Sequence, residues 1–297
     1  MTYVLTLIGN TEPEPLLPVH TDLVCSQLEL NCKLDWLAED EACDLIFPSE
    51  LSAAEITRQA LIALEGTNID AACIPVRGRR KHILISDMDS TIIDQECIDE
   101  LGAAIGVGSQ ISRITKAVVS GEMDFPRALR QRMALMKGME YSLLERVYKE
   151  RITVKAGART LVRTMRHHGA YCILVSGGFS FFTSRIAKIT GFHDHQANEL
   201  TFVADKLTGE IAEPILGRSA KLDTLSRLCE IKGLSPTDVL AVGDGANDIE
   251  MIRAAGIGAA FHGSVALKNQ ANICINHADL TALLYIQGYR KSEFDLT

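Results

Sequence analysis

The 297-residue sequence is poor in aromatic residues, short of positive charge and free of long hydrophobic runs. Lys and Arg number 30 against 38 Asp and Glu, which gives a formal net charge of −8. Proteins that bind nucleic acid need a surplus of clustered basic residues, so we expect no nucleic acid partner. The longest stretch without a formal charge, about residues 170–184, is too short for a membrane helix, so we expect no membrane contact.

The eight cysteines include no CxxC pair and no Cys/His spacing typical of a zinc site. Most lie inside apolar segments, which favours buried, reduced thiols in a cytoplasmic protein. The first residues, MTYVLTLIGNTEPEP, lack the basic start and the small-residue cleavage site of a secretory signal. Composition therefore indicates a globular cytoplasmic protein whose ligands are small molecules.

Residues 1–80 predict a small α+β domain, because short apolar runs alternate there with helical patterns. Strands are predicted at residues 3–8, 43–47 and 70–75, and helices at about residues 16–37 and 52–64. The second helix starts with a capping box formed by Ser52 and Glu55. The domain ends in the basic run Arg77-Gly-Arg-Arg-Lys81, which is typical of a solvated linker.

Residues 81–297 predict an α/β domain with a parallel sheet, because short β-branched runs alternate with longer helical patterns. Strands are predicted at residues 82–87, 170–176 and 238–243, and helices at residues 157–168, 179–190, 219–232 and 248–255. Two segments interrupt this alternation. Residues 95–155 show helical periodicity alone and predict a lid, and residues 199–211 predict a β-hairpin that turns at residues 206–209.

Acidic residues follow two of the predicted strands. Asp87 ends the strand at residues 82–87 and Asp89 follows it, and the run Gly243-Asp-Gly-Ala-Asn-Asp248 begins at the last residue of the strand at residues 238–243. Ligands bind at the carboxyl ends of parallel strands, so these acids meet if the two strands are neighbours. Carboxylate oxygens with no His or Cys nearby favour Mg²⁺ over zinc.

Two further features point to phosphate. Ser176-Gly-Gly178 lies between a predicted strand and a helix, where backbone N–H groups can bind an anion. Lys221, early in a later helix, could supply a positive charge between phosphate and the acids. Taken singly, the first is also a plain turn and the second a surface lysine.

Four motifs together resemble the haloacid-dehalogenase superfamily of phosphohydrolases over about residues 82–290. They are DMDST at 87–91, SGG at 176–178, Lys221 and GDGAND at 243–248. The segments at 87–101, 121–132 and 175–179 are similar to the phosphoserine phosphatase family. The resemblance implies a Rossmann-like parallel sheet with a helical cap at about 95–155, inserted after its first strand. The N-terminal domain is similar to ACT-like domains, although one strand of their βαββαβ pattern is not evident.

The resemblance implies hydrolysis of O-phospho-L-serine to L-serine and phosphate through an aspartyl phosphate, the last step of L-serine biosynthesis. It makes Asp87 the nucleophile and Asp89 the general acid and base, with Mg²⁺ held by Asp87, the backbone carbonyl of Asp89 and Asp244. Asp248 would orient the metal ligands. The implied substrate-binding residues are Ser176, Gly177 and Lys221 for the phosphate, Glu96 for the ammonium group, Arg132 for the carboxylate, and Phe125 and Asn247 as further contacts.

Several alternatives stay open. A phospho-acceptor domain also phosphorylates an Asp beside Mg²⁺ at a strand end, but it needs neither a leaving-group acid nor a substrate-specific cap. A related phosphatase or phosphotransferase would act on another small phosphate ester. The N-terminal domain could sense an amino acid, form a homodimer or pack against the catalytic domain.

Overall fold

The computed structural model describes residues 1–10, 14–119 and 121–296, which form two main sheets and a separate hairpin. The N-terminal sheet is antiparallel, with the strand order β2-β3-β1-β4. Its elements are β1 (Thr2–Ile8), α1 (Pro18–Gln27), β2 (Lys33–Ala38), β3 (Ala42–Pro48), α2 (Ala53–Ala63) and β4 (Asp70–Pro75). As predicted, α2 is capped by the Ser52 side chain, which accepts a hydrogen bond from the Glu55 N–H.

The single long helix predicted at residues 16–37 is wrong. The helix α1 ends at Gln27, and Glu29 adopts a left-handed φ of 50° that turns the chain away. Residues 33–38 form β2, where Trp36 lies opposite Cys43 of β3 and is half-buried. The strand that was not evident in the sequence is therefore present and completes a βαββαβ order.

The basic run after β4 is not a solvated linker, because Arg79, Arg80 and Lys81 are all bound by the rest of the protein, Arg80 through Glu293. Arg79 donates hydrogen bonds to both oxygens of Asp44 and to the backbone carbonyls of Tyr285 and Ile286. Lys81 is 8% exposed, and its ammonium donates hydrogen bonds to the backbone carbonyls of Gly78 and Thr237. The run joins the N-terminal sheet to the C-terminal part of the chain.

The central sheet is parallel, as predicted, with the strand order β12-β11-β10-β5-β6-β7. Its strands are β5 (Ile83–Ser86), β6 (Tyr171–Phe179), β7 (Asp194–Asn198), β10 (Val239–Gly243), β11 (Ile257–Phe261) and β12 (Ile273–Ile275). The accompanying helices are α7 (Ala158–His167), α8 (Ser180–Thr190), α9 (Arg218–Lys232), α10 (Ile249–Ala254), α11 (Val265–Lys268) and α12 (Ala282–Ile286). The strands β5 and β10 are buried along their whole length, as parallel strands covered on both faces must be.

Four helices follow β5 before the chain comes back beside its own starting point, where Val154 forms an isolated antiparallel bridge with Ile93. They are α3 (Cys97–Ala104), α4 (Gly108–Val119), α5 (Phe125–Leu135) and α6 (Tyr141–Arg151), and they form the cap. The separate hairpin consists of β8 (Leu200–Val203) and β9 (Lys206–Ile211). Its turn is at Ala204 and Asp205, which both have positive φ, so the turn predicted at residues 206–209 is wrong.

None of the described helices combines the length and the apolar composition that a bilayer span requires.

Candidate functional site

The site lies where β5 and β10 end side by side. The two strands are paired in parallel with Ser86 opposite Val242, and the N–H of Asp87 continues this pairing by donating to the Val242 carbonyl. Asp87 therefore leaves the sheet next to Gly243 and Asp244. Neighbouring parallel strands bring residues more than 150 positions apart to one edge, which is the arrangement expected from the sequence.

Three carboxylates gather at this edge. One oxygen each of Asp87, Asp244 and Asp248 lie within 4.8 Å of one another. Thr91 donates to Asp244 Oδ1 at 2.7 Å and fixes its orientation. A Cβ at Gly243 would lie 2.4 Å from the Asp248 carboxylate, so the glycine is what lets the third acid approach. Among the described residues, this is the group of acidic, His or Cys side chains close enough to hold a metal ion.

Lys221 balances two of these negative charges. Its ammonium lies 2.8 Å from Asp87 Oδ2 and also pairs with Asp248, while its side chain is 3% exposed. Burial alone would lower the pKa of Lys221, but the charges of Asp248 and Asp87 outweigh burial and raise it. The lysine therefore stays charged beside the carboxylates, and it is not the surface residue that it could have been on sequence alone.

Asp89 lies in the same site but is directed differently. Its carboxylate accepts hydrogen bonds from the Cys97 N–H at 2.9 Å and from the Ser176 hydroxyl at 3.1 Å. Gly178 permits this close approach of the Asp89 carboxylate, because a Cβ at position 178 would lie 2.8 Å from Asp89 Oδ2. The two acids of the DMDST motif thus have different partners, one ionic and one neutral.

Burial raises the pKa values of the acids in the site. The pKa of Asp89 rises to about 6 through burial, against the hydrogen bonds of Cys97, and the negative charge of Asp87 raises it further. Burial and the charge of Asp87 also raise the pKa of Asp244 to about 6 and that of Asp248 to about 7. Acids in such a cluster favour a bound proton or cation, and oxygen-only ligands fit a hard divalent ion.

The cap segment adds two charged side chains to the site, those of Glu96 and Arg132. Glu96, directly before α3, is accessible to solvent, but desolvation by the surrounding protein atoms and the charge of Asp89 raise its pKa to about 8. Arg132 of α5 is 8% exposed, and its Nε has no hydrogen-bond partner among the described residues. Its guanidinium lies 5.9 Å from the centre of the Phe125 ring. A buried, unpaired guanidinium N–H is a donor suited to an anionic ligand.

The remaining predicted residues lie at the same edge. A Cβ at Gly177 would lie 3.1 Å from the Phe125 ring, so the cap reaches the loop after β6. Asn247 donates to Asp87 Oδ2 at a long 3.4 Å. The structure therefore brings every residue predicted from the sequence into one connected site.

Three further residues shape the site without having been predicted. Cys97 and Ser90 contact Asp89 and Glu96 respectively, and both lie within the motif segment that starts at Asp87. Asn198, at the end of β7, donates to the carbonyls of Gly177 and of a second loop residue, and so holds the loop after β6 in place. No sequence signal marks Asn198, because its partners are distant along the chain.

Comparison with known proteins agrees with this geometry. The family model described as haloacid dehalogenase-like hydrolase matches residues 84–253. The chain belongs to this family. The match spans β5 to α10 and includes all four motifs that suggested the superfamily.

Two relatives with 35% identity or more are phosphoserine phosphatases. The chain is 37% identical to the phosphoserine phosphatase of Archaeoglobus fulgidus over 241 residues, which are 80% of this chain and 70% of that protein. It is 35% identical to a phosphoserine phosphatase solved as a phospho-aspartyl intermediate analogue, with a TM-score of 0.65 over 69% of this chain and 98% of the other.

A further solved structure covers nearly the whole chain. A HAD family hydrolase from Salmonella enterica serovar Typhi matches 96% of this chain and 98% of its own, with a TM-score of 0.87. At 24% identity it supports the fold alone. The likeness extends over the N-terminal sheet as well as the central one.

Proposed function

We propose that this chain hydrolyses O-phospho-L-serine to L-serine and inorganic phosphate through an aspartyl phosphate, as the last step of L-serine biosynthesis. The observation that carries the proposal is the unequal pair of acids. Asp87 is paired with the Lys221 ammonium, whereas Asp89 accepts hydrogen bonds from neutral donors. Two acids with different surroundings can act as nucleophile and as general acid in one reaction.

In the first step, a carboxylate oxygen of Asp87 attacks phosphorus, and the bond from phosphorus to the seryl oxygen breaks. Asp89, protonated, gives its proton to the seryl oxygen, which would otherwise leave as a strongly basic alkoxide. A pKa raised to about 6 by burial suits Asp89 to this task, because such a group can hold a proton near neutral pH and release it again.

In the second step, Asp89 is a carboxylate and takes a proton from water as the water oxygen attacks phosphorus. The bond between phosphorus and the Asp87 carboxylate breaks, which releases phosphate and restores the nucleophile. Asp89 thus ends the cycle protonated, as it began. Lys221, Ser176 and the N–H of Gly177 would stabilise the phosphoryl oxygens in both steps.

The cation in this site is proposed to be Mg²⁺, held by Asp87, the backbone carbonyl of Asp89 and Asp244, with Asp248 orienting these ligands. The donor set fits, because the cluster offers carboxylate oxygens and no His or Cys. When bound, the ion would offset the repulsion between the nucleophile and the charged phosphate ester.

Specificity for serine would come from the cap. Arg132 offers its unpaired guanidinium N–H to the substrate carboxylate, and Glu96 offers a carboxylate to the ammonium group. Phe125 forms an apolar wall against the loop after β6, and Asn247 contacts the nucleophile side of the site. Each polar end of the amino acid would then meet a group of opposite charge.

The organisation around this site is part of the proposal. We place a domain boundary between residues 1–80 and 81–297, with the cap at about 95–155, and regard the βαββαβ unit as ACT-like. Homodimerisation remains a proposal. A cytoplasmic location is favoured by the cysteines, which are unpaired thiols in the described part of the chain.

The test is phosphate release from O-phospho-L-serine and a panel of other small phosphomonoesters, with Mg²⁺ or with EDTA. We expect metal-dependent turnover that prefers phosphoserine and is lost in Asp87→Asn, but kept in Asp223→Asn, which changes an exposed acid of α9. Preference for another ester would refute the proposed substrate. Lack of any turnover, with stable phosphorylation of Asp87, would instead support a phospho-acceptor.

A further inference from the structure

Ser90, directly after Asp89, has an unusual backbone conformation. Its φ of 55° lies in the left-handed region, which glycine and asparagine adopt readily and other residues adopt at a cost. The conformation reverses the chain between the end of β5 and the start of the cap. A strained residue at an active site needs a compensating interaction to persist.

The compensating interaction is made by the side chain. The Ser90 hydroxyl donates a hydrogen bond to Glu96 Oε1 at 2.7 Å, and the Ser90 N–H donates to the Gln95 carbonyl at 3.3 Å. The segment between Ser90 and Glu96 is therefore closed by the same residue that bends it. The left-handed turn and the hydrogen bond to Glu96 thus occur at the same residue.

Glu96 needs such a partner because of its position. It immediately precedes α3, but its side chain makes no capping hydrogen bond to the helix. Its carboxylate is accessible within the cleft, where a flexible glutamate would sample several rotamers. The bond from Ser90 occupies Oε1 and leaves Oε2 for a ligand.

We propose that Ser90 is a positioning residue for recognition of the substrate's ammonium group, acting by holding the Glu96 carboxylate in a single orientation. This inference rests on the proposed function, in which Glu96 binds that group. Ser90 does not touch the reacting atoms in this account. Its loss should weaken discrimination between substrates with and without the ammonium group, and should spare the phosphoryl-transfer chemistry.

Three variants separate the hydroxyl from the backbone strain. Ser90→Gly removes the hydroxyl and relieves the strain, Ser90→Ala removes the hydroxyl and keeps the strain, and Ser90→Thr keeps the hydroxyl and adds strain through its β-branch. Selectivity for the ammonium-bearing substrate should depend on the hydroxyl. It should therefore be higher in the unmodified protein and in Ser90→Thr than in Ser90→Ala and Ser90→Gly. The strain is measured separately by melting temperature, which should be higher for Ser90→Gly than for Ser90→Ala, because both lack the hydroxyl and only glycine relieves the strain.

The assay compares kcat/KM for O-phospho-L-serine with kcat/KM for its deamino analogue, which lacks only the ammonium group. Loss of a hydrogen bond to a charged group predicts a fall of about tenfold in the ratio for the Ala and Gly variants. The change should appear mainly in KM for phosphoserine, with kcat for the deamino analogue unchanged. In a Glu96→Gln background, Ser90→Ala should have no further effect on the ratio.

Ser142→Ala is the matched control, because it removes a Ser–Glu hydrogen bond from an exposed part of the cap. Undiminished selectivity in the Gly and Ala variants, or lost selectivity in the Thr variant, would overturn the role of Ser90. Failure of the proposed function would be visible in the unmodified protein, as equal turnover of the two esters. The two failures are therefore distinguishable.

Discussion

Replacing Asp244 with Asn is expected to stabilise the metal-free protein at neutral pH, although it should abolish activity. Burial and the charge of Asp87 raise the pKa of Asp244 from 3.8 to about 6, so the ionised carboxylate is disfavoured in the folded protein. A group with a raised folded pKa contributes stability below its unfolded pKa, and this stability is lost as the pH rises through the folded pKa. Asn keeps an acceptor for the Thr91 hydroxyl and removes the charge.

The size of the effect follows from the shift. Two pKa units correspond to roughly 3 kcal/mol, and partial exposure of the side chain reduces this to about 1–2 kcal/mol, or a few degrees in melting temperature. The gain should grow between about pH 4 and pH 6, because the unfolded and folded pKa values bound that window, and it should be complete near neutral pH.

The assay is thermal unfolding in EDTA and in saturating Mg²⁺, across that pH range. In EDTA near neutral pH the variant should melt above the unmodified protein, and the difference should vanish near pH 4. In Mg²⁺ the order should reverse, since ligand binding stabilises only the protein that retains the site. Asp223→Asn serves as the control for an exposed acid. A variant that melts lower in EDTA at neutral pH would refute the reasoning.

Three other variants probe the rest of the structure. Lys221→Met should lose activity and cost about 3–5 kcal/mol in urea unfolding, because Asp87 and Asp248 lose a buried partner; unchanged stability would contradict the ion pairs. Arg132→Lys should raise KM for phosphoserine about tenfold without affecting esters that lack a carboxylate, as steady-state kinetics would show. Arg79→Ala should cost about 2–4 kcal/mol with kcat preserved, and a changed kcat would show coupling to the site.

The central sheet was predictable because its strands carry strong local signals. Buried parallel strands such as β5 and β10 are continuous apolar runs, and each is followed by acids or glycine at its end. The strand β7, with the sequence DHQAN, carries no such signal and forms because β6 offers it a partner. The strand β2 was predicted as helix, because Leu34 and Leu37 are spaced as on one helix face, and pairing with β3 makes the segment a strand instead.

The convergence of acids at one edge of the sheet was predictable, but their arrangement relative to one another was not. Strand ends predicted that Asp87, Asp89, Asp244 and Asp248 would converge, and they do. Which acid pairs with Lys221 and which accepts neutral hydrogen bonds depends on side-chain directions that spacing does not specify. The roles of Glu96 and Arg132 came only from the family resemblance, because charged residues on cap helices have no local signature of binding.

The contacts of the N-terminal sheet bear on how its role can be tested. Asp70 accepts hydrogen bonds from three consecutive backbone N–H groups at residues 276–278, and Arg79 joins Asp44 to the carbonyls of residues 285 and 286. Deleting residues 1–80 would therefore remove both partners of an ion pair and expose apolar surface that the sheet covers. Lost activity or regulation after such a deletion would follow from packing alone. Amino-acid sensing has to be tested on the intact chain, by inhibition with serine, because only there is the interface unchanged.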